Sequence, residues 1–473
     1  MDNLNTKIQN MPKEVKSSVA FAFASFISTG ISYLTTPIFT RLLSVSEYGQ
    51  VNVFLTWQSL FAIIALFSLH YGVFNNGMMD YKDKRDEYSF SLLVLSNTIT
   101  FVFGLFLMLI IFIFPSIFTI SIRFLFIMLV VFFVQPAYNF WLARQRYEYQ
   151  YIPALKASAL IAIITPLISI ICVVFFKNNR IDSRIFGLEI PLFFIYLYFY
   201  INLGKKAKWK VNREYWREAF LFNLPLLPHY LSTYLLSSSD KLMIAKIVGD
   251  YATGYYSVAY AIASLGLIVW TAINGSLIPY TYDCLKNGEF SKLSKLISKI
   301  LFVVLACSFG VIIIAPEVLK FLASSTYFSC LSVIPVIVGG VFFQVHYSIY
   351  ANVLFYYRKP KYVMFASVCA TILNLIANYI FINKYGYLAA GYTTLFCYLI
   401  QAAIDYLALR VVVKENIYNM IEIGVMSFVC LLFSFFGNYI YGYPCLRYLI
   451  LITTILFFIF FRKKVYVMIK NIL

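Results

Sequence analysis

Long apolar runs follow one another along almost the whole 473-residue chain, separated by short polar gaps. Such runs stand out at 18–42, 50–73, 90–114, 120–143, 152–176, 185–203 and 220–248, then at 254–282, 295–315, 328–356, 361–382, 387–410, 420–440 and 446–461. Most reach the about 20 residues that a helix needs to cross a hydrocarbon core. Backbone in lipid must satisfy its own hydrogen bonds, and runs of this length do so as helices. The pattern predicts an all-α integral membrane protein with about 14 transmembrane helices.

Composition supports the same class. The chain is 62% hydrophobic and 12% charged, whereas a soluble domain carries about 25% charged residues. A net charge of +18 raises the question of nucleic acid, but the aromatic residues interleave with Leu, Ile and Val rather than with Lys and Arg. No nucleic-acid partner is expected. The polar, basic start, MDNLNTKIQNMPKEVK, leads into a run of full span length, so no cleavable signal peptide is read. Eight cysteines without C-x-x-C spacing read as small buried hydrophobes, and no metal-ligand set or catalytic residue is read.

The Lys and Arg residues orient the spans. With the N-terminus inside, 28 of the 38 basic residues fall in inner gaps. Both termini are therefore expected in the cytoplasm, with membrane lipids as partners. The longest inner gap, 203–219, is basic and Trp-rich, and it reads as a linker lying on anionic lipid.

The two halves echo each other. A shift of 205 residues lays Arg41 on Lys246, Gly49 on Gly254 and Val53 on Val258. Copies separated by an even number of spans point the same way, giving a repeat about an axis along the membrane normal. The expected organisation is two six-helix lobes, 1–215 and 216–411, plus two C-terminal helices in 412–473.

Three stretches carry a family resemblance: TTPIFTRLLSVSEYG at 35–49, FNLPLLPHYLSTYLLSSSDKLMIAKIVGDYATGYYSVAY at 222–260, and YYRKPKYVMFASVCATILNLIANYIFINKYGYLAAGYTTLFCYLIQ at 356–401. The chain resembles the polysaccharide transporters, the O-antigen and capsule repeat-unit flippases. They are a branch of the multidrug/oligosaccharidyl-lipid/polysaccharide exporter superfamily. The resemblance implies a fourteen-helix, non-enzymatic flippase in the bacterial cytoplasmic membrane, working by alternating access. Its cargo would be a polyprenyl-pyrophosphate-linked glycan for O-antigen, lipopolysaccharide or capsule synthesis, with polysaccharide polymerase machinery as a candidate partner. No cofactor is implied; membrane potential, H⁺ or Na⁺ are the candidate couplings.

A pyrophosphate wants cations, and sugars want hydrogen-bonding groups. The cations in or beside spans are Arg41, Arg123, Lys241 and Lys246; each either meets the cargo or snorkels outward. Intramembrane charge is expensive and marks function by default, which singles out Asp240 and Lys241. Neighbours on a helix point about 100° apart, so Asp240 is expected to pair with a basic group on another helix. Asn374 and Asn378, four apart on one face, are either glue between helices or sugar contacts. Pro225 and Pro228 predict a bend in the seventh span beside His229; this segment, with Asp405 and Glu189, is the candidate for gating or ion coupling. At 1.5 Å per residue, Lys241 falls in the outer half of that span and the prolines in its inner third.

Two other classes stay open: an exporter of a drug, a sugar, or a teichoic-acid or peptidoglycan precursor, and a membrane polysaccharide polymerase or glycosyltransferase. The gap 77–85 slightly resembles the basic loop of twelve-helix major-facilitator transporters but lacks its second glycine. A polymerase would need a large outer loop or an acidic metal motif, and neither stands in the sequence.

Overall fold

Helices are the regular secondary structure throughout residues 13–114 and 119–460, the residues described by the computed structural model. Residues 1–12 and 461–473, and with them Lys7, Arg462, Lys463, Lys464 and Lys470 of the ends read as cytoplasmic, lie outside that range. The chain divides into two compact units at Leu231–Ser232.

The first unit holds α1 (Lys13–Leu42), α2 (Val45–Ala65), α3 (Gly72–Asp80), α4 (Arg85–Ile113), α5 (Ile122–Tyr147), α6 (Tyr151–Phe175), α7 (Arg180–Lys206) and α8 (Glu214–Asn223). The α1–α2 elbow is built by local chemistry. Ser44 accepts from the Glu47 amide at 3.2 Å while Glu47 accepts from the Ser44 amide at 2.7 Å, a reciprocal cap that starts α2. Arg180 donates to the Leu42 carbonyl at 2.9 Å, satisfying one of the acceptors left at the end of α1.

The run 50–73 is not one helix. It breaks after Ala65, and Phe67 and Ser68 take left-handed conformations, with φ of 53° and 48°. The break is covered: Asn223 donates to the Phe67 carbonyl at 2.9 Å, and the Phe67 and Phe220 rings stack at 4.9 Å. The linker before α8 is pinned as well. Trp216 donates to the Ser91 carbonyl at 2.8 Å, and Trp209 meets Phe90 edge-on.

The second unit continues α9 (Leu227–Ile247) and adds α10 (Asp250–Ala263), α11 (Leu265–Lys286), α12 (Phe290–Leu322), a 3₁₀ stretch (Ser325–Val333), α13 (Ile334–Tyr356), α14 (Pro360–Tyr385), α15 (Leu388–Val413), α16 (Met420–Ile440) and α17 (Pro444–Phe460). Its core is centred on α13, where Val341, Phe342, Val345, Ile349 and Val353 are all buried. Two glycines let helices close on it: a Cβ at Gly339 would sit 2.1 Å from Ser434 Oγ, and one at Gly391 2.6 Å from Val333.

The two units share a frame. α1 ends at Leu42 and α9 at Ile247, α2 begins at Val45 and α10 at Asp250, and α4 begins at Arg85 and α12 at Phe290. All three pairs are 205 residues apart, so the weak echo in the sequence coincides with helix boundaries. The elbow itself is solved twice, by the Ser44 side chain in the first unit and by Gly249, with φ of 121°, in the second.

Nine helices among the described residues are long and apolar enough to span a membrane, and α10 with α11 form a bent pair that would make a tenth. α9 falls outside this set because its serines, His229, Asp240 and Lys241 dilute its apolar character.

The distortion expected at Pro225 and Pro228 takes the form of an interruption of the seventh span. Leu224–Leu226 is a 3₁₀ turn joining α8 to α9, and Pro228 lies in the first turn of α9. There its missing N–H has no intrahelical acceptor to leave empty, so the prolines mark a junction between two helices.

Candidate functional site

Asp240 is completely buried at the centre of a polar network drawn from four helices of the second unit. Its Oδ2 accepts from the Tyr256 hydroxyl at 2.5 Å and from Thr394 Oγ1 at 2.7 Å. Its Oδ1 accepts from Asn378 Nδ2 at 2.7 Å. That amide also donates to Asn374 Oδ1 at 3.0 Å, while Asn374 Nδ2 donates to Thr394 Oγ1 at 3.1 Å. Ser239 donates to Asn374 Oδ1 at 3.3 Å, and Thr393 donates to Asn378 Oδ1. α9 supplies the carboxylate, α10 the phenol, α14 the two amides one turn apart, and α15 the two threonines.

Three of the sequence candidates, Asp240, Asn374 and Asn378, therefore form one site. The expected basic partner for Asp240 on another helix is corrected: among the described residues its oxygens meet a phenol, a threonine hydroxyl and an amide. Those three donors fill the directions a guanidinium or ammonium would need. The carboxyl group is thus satisfied by neutral dipoles rather than by a fixed counter-ion. Hydrogen bonds to charged groups are worth about 1.5–3 kcal/mol each.

Lys241, as the 100° helical step requires, points elsewhere. Its Nζ lies 5.3 Å from the centre of the Tyr260 ring, and no carboxylate stands within ion-pair distance of it among the described residues. A cation held by a ring face rather than by a carboxylate stays available to an anion.

The other candidates are not brought to this network. Arg41, in the last turn of α1, donates to the Pro37 carbonyl at 2.9 Å. Arg123 is paired with Asp182 at 2.7 Å and is 60% exposed. Lys246 is exposed in the last turn of α9. His229 is half-buried beside Tyr230 in the first turn of α9.

The remaining intramembrane acids have contrasting surroundings. Glu189, buried in the first unit, accepts from Gln58 Nε2 at 2.8 Å through Oε1, and its Oε2 has no hydrogen-bond partner among the described residues. Among the described residues Asp405, buried on α15, has no hydrogen-bond partner on either oxygen, and the buried Oε1 of Gln401 one turn earlier lacks one too.

Sequence reasoning missed Tyr256, Thr393, Thr394 and Ser239, whose hydroxyls complete the network. It did not single out Arg184 on α7 either. That guanidinium lies 3.9 Å over the Phe39 ring and donates to Ser169 Oγ at 2.8 Å.

Comparison with known proteins decides the lineage. A family model described as polysaccharide biosynthesis protein matches residues 15–284. The chain belongs to that family. The matched range includes Asp240 and Tyr256 of the network, whereas Asn374, Asn378 and Thr394 lie beyond it. Lsg locus putative protein 1 of Haemophilus influenzae is 27% identical over 208 residues, 42% of this chain and 51% of that protein; the chain thus spans about half the length of that relative. An uncharacterized membrane protein of the same species is 22% identical over 372 residues, 76% of this chain and 88% of that one.

Among solved structures, the lipid II flippase MurJ in an inward closed conformation aligns with a TM-score of 0.67 at 17% identity, covering 94% of this chain and 100% of that one. An inward-facing multidrug resistance transporter of the MATE family aligns with a TM-score of 0.62 at 13% identity, covering 84% and 99%. The fold is that of these MOP-superfamily transporters, as the sequence resemblance implied.

Proposed function

We propose that the chain is a flippase. It moves polyprenyl-pyrophosphate-linked oligosaccharide repeat units from the inner to the outer leaflet of the bacterial cytoplasmic membrane, for O-antigen, capsule or related surface polysaccharide. Family membership and a lipid-flippase fold support the class. The observation that carries the reading is the Asp240 network. A buried carboxylate held by three neutral donors, in a helix beside a lysine with no carboxylate partner, has no use in an inert bundle.

In this reading the two neighbours divide the work. Lys241, without an ion pair among the described residues, meets the pyrophosphate. Asp240, Asn374, Asn378 and Thr394 present carboxylate, amide and hydroxyl oxygens, which can exchange their internal hydrogen bonds for a proton or Na⁺ and so tie the cargo step to an ion gradient. An inside-negative potential adds to the drive, since moving one charge through 100 mV is worth about 2.3 kcal/mol. Alternating access then exposes the cargo path first to the inner side and later to the outer, with product passing to polymerase machinery.

The test is flipping of a fluorescent lipid-linked oligosaccharide in proteoliposomes with clamped potential and imposed H⁺ or Na⁺ gradients. Flipping that responds to one of these drives is expected. Indifference to all three would sink the driven mechanism, and transport of lipid II or a cationic drug in place of the oligosaccharide would select the other exporter class. Lys241→Ala should leave expression and detergent stability unchanged while cutting flipping by about tenfold or more, the scale of one lost charge-assisted contact.

A further inference from the structure

The first unit carries a polar pocket whose lining includes none of the groups invoked above. The pocket, of about 570 Å³, opens among the ends of α5, α6 and α7, lined by Lys156, Lys206, Gln145, Asn202, Arg144 and Glu148, with Trp141 beside them. Its charges are unevenly satisfied. Arg144 is bound to Asp86 at 2.5 Å and to Glu148 at 2.8 Å, and Arg85 takes Glu148 as well. Those contacts use the nearby carboxylates. Lys156 and Lys206 are exposed and have no ion pair among the described residues. The side chains of Gln145 and Asn202 are uncommitted there too. The pocket's one lining carboxylate, Glu148, is taken by two arginines, which leaves the two lysines as its unpaired charges among the described residues.

Its mouth continues into an apolar surface. Leu160 and Tyr198, on the pocket wall, are exposed, and so are Ile163, Leu167 and Ile171 on α6 and Ile190 and Phe194 on α7. Along the same two helices runs a groove of about 680 Å³, lined by Ile164, Ile168, Cys172, Gly187, Ile190 and Phe194. From Lys156 to Ile164 is about 12 Å along α6 at 1.5 Å per residue. Trp141, tilted against Phe199 with ring centres 4.6 Å apart, sits at the polar end, where amphipathic rings favour the membrane interface.

We infer that this is a seat for an anionic phospholipid: the phosphate headgroup meets Lys156 and Lys206, and an acyl chain lies in the α6–α7 groove. Basic pockets between helices at a membrane surface bind such headgroups. Lys205, Lys208 and Lys210 are exposed as well but line neither the pocket nor the groove. A soluble phosphate would need the cations but not the groove, and a neutral lipid the groove but not the cations. The two features together select a charged lipid of the leaflet on which the basic loops crowd.

The experiment is lipid retention by the purified full-length protein, read by native mass spectrometry after incubation with equal phosphatidylglycerol and phosphatidylcholine. Wild type should keep phosphatidylglycerol in preference, and the Lys156→Gln, Lys206→Gln double variant should lose about tenfold of that preference. The matching double arginine variant should retain it. The Lys205→Gln, Lys208→Gln variant, which alters equal charge outside the pocket, should behave as wild type. Equal retention of the two lipids, or an equal loss in that control, would overturn the assignment. So would displacement of phosphatidylglycerol by equimolar polyprenyl diphosphate, which would make the site a cargo seat. None of these readouts depends on flipping, so failure here leaves the proposed function standing and the reverse.

Discussion

The phenol of Tyr256 shows how much one hydroxyl decides. It reaches Asp240 at 2.5 Å inside a fully buried network, so Tyr256→Phe removes a charge-assisted bond worth about 1.5–3 kcal/mol. A lower melting temperature in detergent with the fold retained is expected, followed by fluorescence-detected size exclusion; an unchanged melt would mean the bond contributes nothing. Asp240→Ala should be worse than Asp240→Asn. It orphans three donors, each at about 1–3 kcal/mol, whereas the amide keeps the shape and part of the bonding. At this scale the sequence was half legible. Asn374 and Asn378 were found from their spacing, and Asp240 from the expense of a charge in lipid. Tyr256, Thr393 and Thr394 were not, because hydroxyls in membrane helices are common and usually bond back to their own turn, as Thr371 does to Ser367 at 2.7 Å. Nothing local marks Thr394 as partner to a residue 154 positions away.

Individual elements are held by contacts too small for hydropathy to register. Gly187 lets α7 lie against α6, since a Cβ there would stand 2.7 Å from the Ser169 Cα. Gly187→Leu should prise the pair apart and cost about 1–3 kcal/mol or more, visible as a lower melting temperature and as loss of the groove between them. α8 is a latch: Asn223→Ala should free the Phe67 carbonyl and loosen the break after Ala65, detected as faster amide exchange at 66–71. The apolar runs foretold where helices would be but hid where they stop. The runs 50–73, 220–248 and 254–282 each read as continuous, and each is interrupted. The interruptions rest on partners distant in sequence, such as Asn223 for Phe67, or on prolines whose effect depends on their place in a turn.

For the whole molecule, the distribution of basic residues and the repeated frame carry the argument. Both ends are expected on the cytoplasmic side; fluorescent-protein fusions at each terminus should both glow in cells, and a dark fusion at one end would refute the even topology. The fold class was legible throughout, because spans, loop charge and a family resemblance all pointed to one architecture. The half-repeat was barely legible, since three coincident residues are a poor signal, yet helix boundaries at Leu42 and Ile247, Val45 and Asp250, and Arg85 and Phe290 agree. That agreement has an evolutionary consequence. Starts of later helices are offset further, by 209 residues for Tyr151 and Pro360 and by 208 for Arg180 and Leu388, so the second copy has gained a few residues between α12 and α14, the interval that holds its 3₁₀ stretch. An ancestral half-chain that doubled and fused would have begun with the same chemistry twice. Fusion would then have freed each copy from the other's constraints. One half now holds the sealed carboxylate of Asp240, and the other a groove with two lysines at its end that have no ion pair among the described residues. On that history the backbone would be the older inheritance, and the division of labour would have come after it.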